Sequence, residues 1–109
     1  QPKIKKQGSL DKKVIKAVIK RHLKEITYCY ASKALAQDEK AAGTVKVRFI
    51  IGNDGVVKSS VVVWSSLNHP PTESCINRAV KRWRFPQPKG GLVVVKFPFH
   101  MKPGKKSGK

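Results

Sequence analysis

Apolar and polar residues follow two different rhythms along this chain. From Leu10 to about Ala36, apolar side chains return every three or four positions. Ile15, Val18, Ile19, Ile26, Cys29 and Tyr30 share one side, while Lys12, Lys13, Lys16, Lys20 and Lys24 point elsewhere. That period predicts an amphipathic helix. Ser9 is placed to cap it, and Asp11 falls in the first turn, where a negative charge suits the positive helix end. His22 lies on the apolar side and reads as a partly buried packing residue.

After Gly43 the rhythm changes to strict alternation. "TVKVRFII" sets Val45, Val47, Phe49 and Ile51 on one face and Lys46 and Arg48 on the other, the signature of a half-buried strand. "GNDG" and then "VVKSSVVVW" follow, so two β-branched runs flank a turn rich in residues that tolerate positive φ. These form a predicted hairpin. The alternation of its second strand slips around Ser59 and Ser60, which suggests a bulge there. "GNDG" also has the G-x-x-G spacing of a nucleic-acid clamp that joins two helices, but here it joins two strands and carries no cation.

"SSLNHPPTES" reads as a turn. Beyond it, Cys75, Ile76, Ala79, Val80 and Trp83 form a second helical stripe, with Asn77, Arg78, Lys81, Arg82 and Arg84 assigned to the opposite face. Pro86, Pro88, Gly90 and Gly91 end that helix. "LVVVKFPF" is a third strand, with Val93, Val95, Phe97 and Phe99 on one face. Pro98 has no amide hydrogen and assigns this strand to a sheet edge.

Helix, strand, strand, helix, strand is therefore the expected order. Each element has one apolar face, and the faces satisfy one another by stacking in two layers. A right-handed crossover from the second strand through the second helix places the third strand beside the first. The expected fold is α+β: a two-layer αββαβ domain whose three-stranded antiparallel sheet, in order 2-1-3, is covered on one face by two helices. Residues 1–9 read as a basic linker, 10–101 as the domain and 102–109 as a basic disordered tail.

Composition adds charge to this picture. The 109 residues hold 24 Lys and Arg against 6 acids, for a net charge of +18. Such a field draws anionic partners, whether nucleic acid, headgroups, acidic proteins or glycans. Seven of the cations, Lys3, Lys5, Lys6, Lys102, Lys105, Lys106 and Lys109, fall on the two ends. No run of about 18 apolar residues occurs, and no signal-peptide pattern appears. A folded centre of about 90 residues buries only some 60–65% of its unfolded surface, so a staple is expected.

The ordered set of "IKRHLKEITYCY", "GTVKVRFIIGNDGVV", "SSL", "CINRAVKRWRFPQPKGG" and "VVVKFPFHM" resembles the C-terminal domain of TonB-type energy transducers, in the subgroup called the AgmX/PglI C-terminal domain. The likeness spans roughly residues 10–101 and includes both cysteines. It implies a periplasmic domain of an inner-membrane-anchored protein, in which this chain is the outward-reaching end. It also implies contact with an outer-membrane or periplasmic protein and force from a proton-driven inner-membrane motor complex, in the larger members gliding machinery. A charge of +18 is not a general feature of TonB domains and departs from the pattern of siderophore uptake.

Cys29 and Cys75 taken alone are compatible with buried thiols, a redox pair or part of a metal site. Four-ligand zinc spacing is absent, and His22, His69 and His100 do not cluster in sequence, so neither metal nor cofactor is expected. With both helices on one side of the sheet, a disulfide between them is feasible. It agrees with the oxidising periplasm that the resemblance implies.

No catalytic set is visible. Ser65 and Ser66 lie near His69 without a nucleophile elbow, and the six acids are scattered, so the chain is expected not to be an enzyme. Trp83 and Phe85 sit among arginines, a pattern shared by stacking platforms for single-stranded nucleic acid and by ordinary cores. Alignment with Ile76, Ala79 and Val80 favours the core. Arg78, Lys81, Arg82 and Arg84 then become a solvated basic surface. It could steer acidic partners or hold the domain near an anionic cell-wall polymer.

The remaining candidate site is the edge of the third strand: Leu92, Val93, Val94, Val95, Lys96 and Phe97. An uncovered edge offers backbone donors and acceptors to an extended peptide. The expected function is non-enzymatic coupling by strand addition; the alternative is a basic nucleic-acid-binding module.

Overall fold

The computed structural model describes residues 9–103, so the expected linker and tail lie almost wholly outside the described residues. α1 spans Lys12–Cys29 and runs directly into a π-helical segment, Tyr30–Leu35. β1 covers Gly43–Ile51, β2 Val57–Ser65, α2 Pro70–Lys81 and β3 Val93–Met101. The three strands form one antiparallel sheet in the order β2-β1-β3, with the helices on one face. The α+β expectation holds in both order and layering.

α1 starts two residues later than its periodicity suggests. Asp11, not Ser9, is the cap: its carboxylate accepts the Lys13 amide hydrogen at 2.9 Å. Ser9 instead forms an antiparallel bridge with Lys89, exchanging two backbone hydrogen bonds of 2.8 and 3.1 Å. Ile15, Val18, Ile19, Ile26 and Cys29 are buried. Over the π-helical segment, Tyr30 and Ala34 stay buried and the Tyr30 hydroxyl donates to the Ala41 carbonyl, fixing the chain as it turns toward β1.

β1 is the centre of the sheet, and Val45, Val47, Phe49 and Ile51 are all fully covered. The hairpin closes through a Gly55 amide donating to the Gly52 carbonyl and a Gly52 amide donating to the Val56 carbonyl, both 2.8 Å. Gly55 adopts φ 84°, and a Cβ there would overlap the Phe85 carbonyl. In addition, the Phe85 amide donates to the Gly55 carbonyl at 2.9 Å, so this turn anchors the chain leaving α2. The register of β2 slips at Lys58, beside the expected bulge around Ser59 and Ser60, and a second time at Val63.

α2 begins inside the stretch expected to be a turn. Pro70 and Pro71 fill its first positions, where a missing amide hydrogen costs nothing. Thr72 is fully buried and its hydroxyl meets His69 Nδ1 at 2.8 Å. Asn77 does not belong to the solvated face: its side-chain oxygen accepts the Ser60 hydroxyl at 2.7 Å, tying α2 to β2. The helix ends at Lys81, so Trp83 reaches the core from the following loop. It is 1% exposed and meets Phe49 and Phe99 edge-on at centroid distances of 6.3 and 6.4 Å.

Cys29 and Cys75 are joined, with their Cα atoms 5.7 Å apart. The bridge ties the end of α1 to the middle of α2 and closes a separation of 46 residues. Among the described residues no helix lies over the opposite face of the sheet. Val61, Val63 and Trp64 stand exposed there.

Candidate functional site: the free edge of β3

Which backbone groups of β3 are free follows from β1. Thr44 accepts the Ser66 amide hydrogen on its carbonyl and donates its own N–H to Ser66 Oγ, both at 2.9 Å. Its backbone therefore points toward the β2 side. Backbone direction alternates along a strand, so Lys46, Arg48 and Ile50 point the same way, as does Gly52, which donates to Val56. Val45, Val47, Phe49 and Ile51 then point to β3, opposite Phe99, Phe97, Val95 and Val93.

Of the expected edge residues, Val93, Val95 and Phe97 thus have their backbone groups committed to β1. Val94 and Lys96 point outward, together with Pro98 and His100. Leu92 precedes the strand and is 49% exposed. Pro98 sits where its missing N–H costs no bond to β1, which is why a nine-residue strand containing a proline keeps an unbroken register. Among the described residues no strand pairs with this edge. Val94 and Lys96 are its two consecutive outward donor–acceptor residues upstream of Pro98, matching one short extended segment. Side chains there alternate too: Val93 is buried against the core, and Val95 and Phe97 pack on it, while Lys96 is exposed.

The basic residues are placed differently. Arg78, Lys81, Arg82 and Arg84 are all exposed. Arg78 and Lys81 occupy the last turn of α2, where positive charge complements the helix dipole. Arg84 sits in a backbone bridge to Val56. Trp83 and Phe85 are 1% and 6% exposed, so neither offers a ring face for stacking a base.

A small polar cluster was not visible in the sequence. Glu25 Oε1 accepts the Trp83 indole N–H at 2.9 Å, and its Oε2 lies 2.8 Å from His22 Nδ1. The His22 ring stacks on Trp83 with centroids 5.1 Å apart. Partial burial pushes the Glu25 carboxyl up, but the hydrogen bonds from His22 and Trp83, with the nearby positive charge, together hold it below the usual range. The i,i+3 spacing of His22 and Glu25 was available from sequence; the Trp83 partner, 58 residues away, was not. Among the described residues no group of three or more His, Cys, Asp or Glu is arranged to hold a metal.

The chain folds as a two-layer αββαβ domain whose β3 edge pairs with no further strand among the described residues. The profile of the Gram-negative bacterial TonB protein C-terminal family matches residues 33–103, well over half of the chain, and the protein belongs to that family. Domains of this family are periplasmic and contact other proteins in energy transduction. The NMR structure of the TonB C-terminal domain of Helicobacter pylori (residues 179–285) is 21% identical. The alignment covers 90% of this chain and 98% of that one, with a TM-score of 0.49. No curated protein matches the chain.

Proposed function

We propose that this domain couples an energised inner-membrane complex to an outer-membrane or periplasmic protein by accepting an extended segment of that partner along β3. Within the family we assign it to the AgmX/PglI subgroup, which carries with it an inner-membrane anchor and a gliding machine as the source of force. The observation that supports strand addition is the outward backbone of Val94 and Lys96, unpaired among the described residues. The basic surface at Arg78, Lys81, Arg82 and Arg84 accelerates encounter with acidic partners or with anionic cell-wall polymer.

The test is a proline at Val94. Its amide hydrogen points away from β1, so Val94→Pro removes a donor from the edge without removing a bond from the sheet. Synthetic peptides copying the periplasm-facing termini of outer-membrane proteins from the same cell serve as probes. For a peptide that binds, losing one backbone hydrogen bond and meeting the ring weakens binding about tenfold or more. Affinity should change little between 50 and 200 mM salt. A peptide that binds Val94→Pro as tightly as the native chain would refute strand addition. A log–log salt slope of several units with DNA would support nucleic-acid binding instead.

A further inference from the structure

The uncovered face of the sheet carries a second pattern, separate from the β3 edge. Its side chains are Lys46, Arg48 and Ile50 from β1, Val61, Val63 and Trp64 from β2, and Val94 and Lys96 from β3. Arg48 and Lys96 stand directly opposite each other in register, and Lys46 lies two residues from Arg48 on the same face of β1, opposite Pro98. Like charges directly opposite on adjacent strands repel. Among the described residues no carboxylate pairs with them. The three strands contain no acid, and the ion pairs among the described residues are His22–Glu25 and Lys58–Asp54. Around these cations the face is apolar: Val61, Val63 and Trp64 are 43%, 47% and 54% exposed. Arg48, Lys96, Val63 and Val94 line an open depression of about 820 Å³.

The arrangement constrains the occupant. Cations lie in the middle of the face with apolar side chains beside them, so the ligand must bring anionic groups to its own centre and apolar groups to its flank. A lipid bilayer offers the reverse, an apolar slab with charge at the rim. The size also selects. Nine-residue strands extend about 30 Å and three of them span about 10–15 Å, the length and width of one α-helix with its side chains. A helix laid there would complete a third layer over an otherwise bare sheet.

We infer that the open face is a docking site for an acidic amphipathic helix of a partner protein. Its carboxylates meet Lys46, Arg48 and Lys96, and its apolar stripe covers Val61, Val63 and Trp64. Arg48 supplies the forked donor that takes a carboxylate with two hydrogen bonds. The site is independent of strand addition, because it uses side chains on the face rather than the backbone at the edge.

The experiment uses a synthetic helix of about four turns with Leu at i, i+3, i+4 and i+7 and Glu on the adjoining stripe. A scrambled peptide of equal composition and one with Lys replacing every Glu are the controls. Binding is followed by amide and indole shifts in the labelled protein. The expected result is shifts at Lys46, Arg48, Val61 and the Trp64 indole, with the scrambled peptide bound at least about tenfold more weakly. Arg48→Glu places an acid opposite Lys96, which protects the fold, and should weaken the acidic helix at least about tenfold. The Lys-bearing helix should bind the Lys46→Glu, Arg48→Glu, Lys96→Glu protein and not the native one.

Several results would overturn the inference. One is equal binding of the scrambled peptide. Another is equal weakening by Arg78→Glu with Lys81→Glu, which would show that only overall charge matters. Shifts confined to the Val94 and Lys96 amides would mean strand addition. A larger Trp64 response to anionic phospholipid vesicles than to the helix would mean a bilayer surface.

Discussion

Replacing Cys29 and Cys75 by alanine removes the one covalent tie between α1 and α2. Alanine is preferred to serine because Cys29 is 2% exposed and a hydroxyl there would be buried without a partner. The loop closed by the bridge has a separation of 46 residues. In the chain-entropy model, releasing it returns about 13–14 cal/mol/K to the unfolded chain, or about 4 kcal/mol at 25 °C. A domain of this size is stable by only about 5–15 kcal/mol in total. With about 2 cal/mol/K of unfolding entropy per residue over the 95 described residues, the loss corresponds to a fall in Tm of roughly 20 °C. Circular dichroism melts of the native protein, of the native protein in reductant, and of the double variant measure it. The two altered samples should agree within a few degrees. A drop below about 5 °C would refute the reasoning, as would two titratable thiols in denatured, unreduced native protein.

Two further substitutions test other parts of the fold, beside the edge proline and the open-face charge reversals already described. Gly55→Ala puts a side chain at φ 84° against the Phe85 carbonyl. The left-handed backbone alone costs about 1–2 kcal/mol, so Tm should fall by at least about 5–10 °C; an unchanged Tm would remove the anchoring role of this turn. Glu25, whose ordinary value is 4.5, is held lower in the folded protein, so its contribution is complete above about pH 4.5 and fades as pH drops through the folded value. Glu25→Gln should therefore flatten the acid limb of stability against pH. An acid limb identical to the native one would show that the His22–Glu25–Trp83 cluster does not stabilise the charged form.

Much of this architecture could be read from spacing. Val45, Val47, Phe49 and Ile51 alternate without interruption because β1 is central and covered on one face alone, and that regularity is what made it legible. α1 was equally clear at Ile15, Val18, Ile19 and Ile26. Its ends were not, since Ser9 and Asp11 are both competent caps and the choice depends on the bridge from Ser9 to Lys89, 80 residues away. Pro70 and Pro71 hid the start of α2, because the same residues break a helix interior and suit its first turn. Asn77 looked solvated because its partner, Ser60, lies on β2. At the edge, the division of the expected segment into inward Val93, Val95 and Phe97 and outward Val94 and Lys96 requires the direction of Thr44's backbone. The open sheet face escaped notice for a similar reason: Arg48 and Lys96 become neighbours only through strand pairing.

Amide hydrogen exchange at Val94 and Lys96 tests the coupling role most directly. In the free domain both amides should exchange quickly, while those of Val93, Val95 and Phe97 stay protected by β1. When a partner segment binds at the edge, Val94 and Lys96 should slow by at least about a hundredfold at saturation, with the other three unchanged. A saturating partner that leaves both amides exchanging at their free rates would contradict the account.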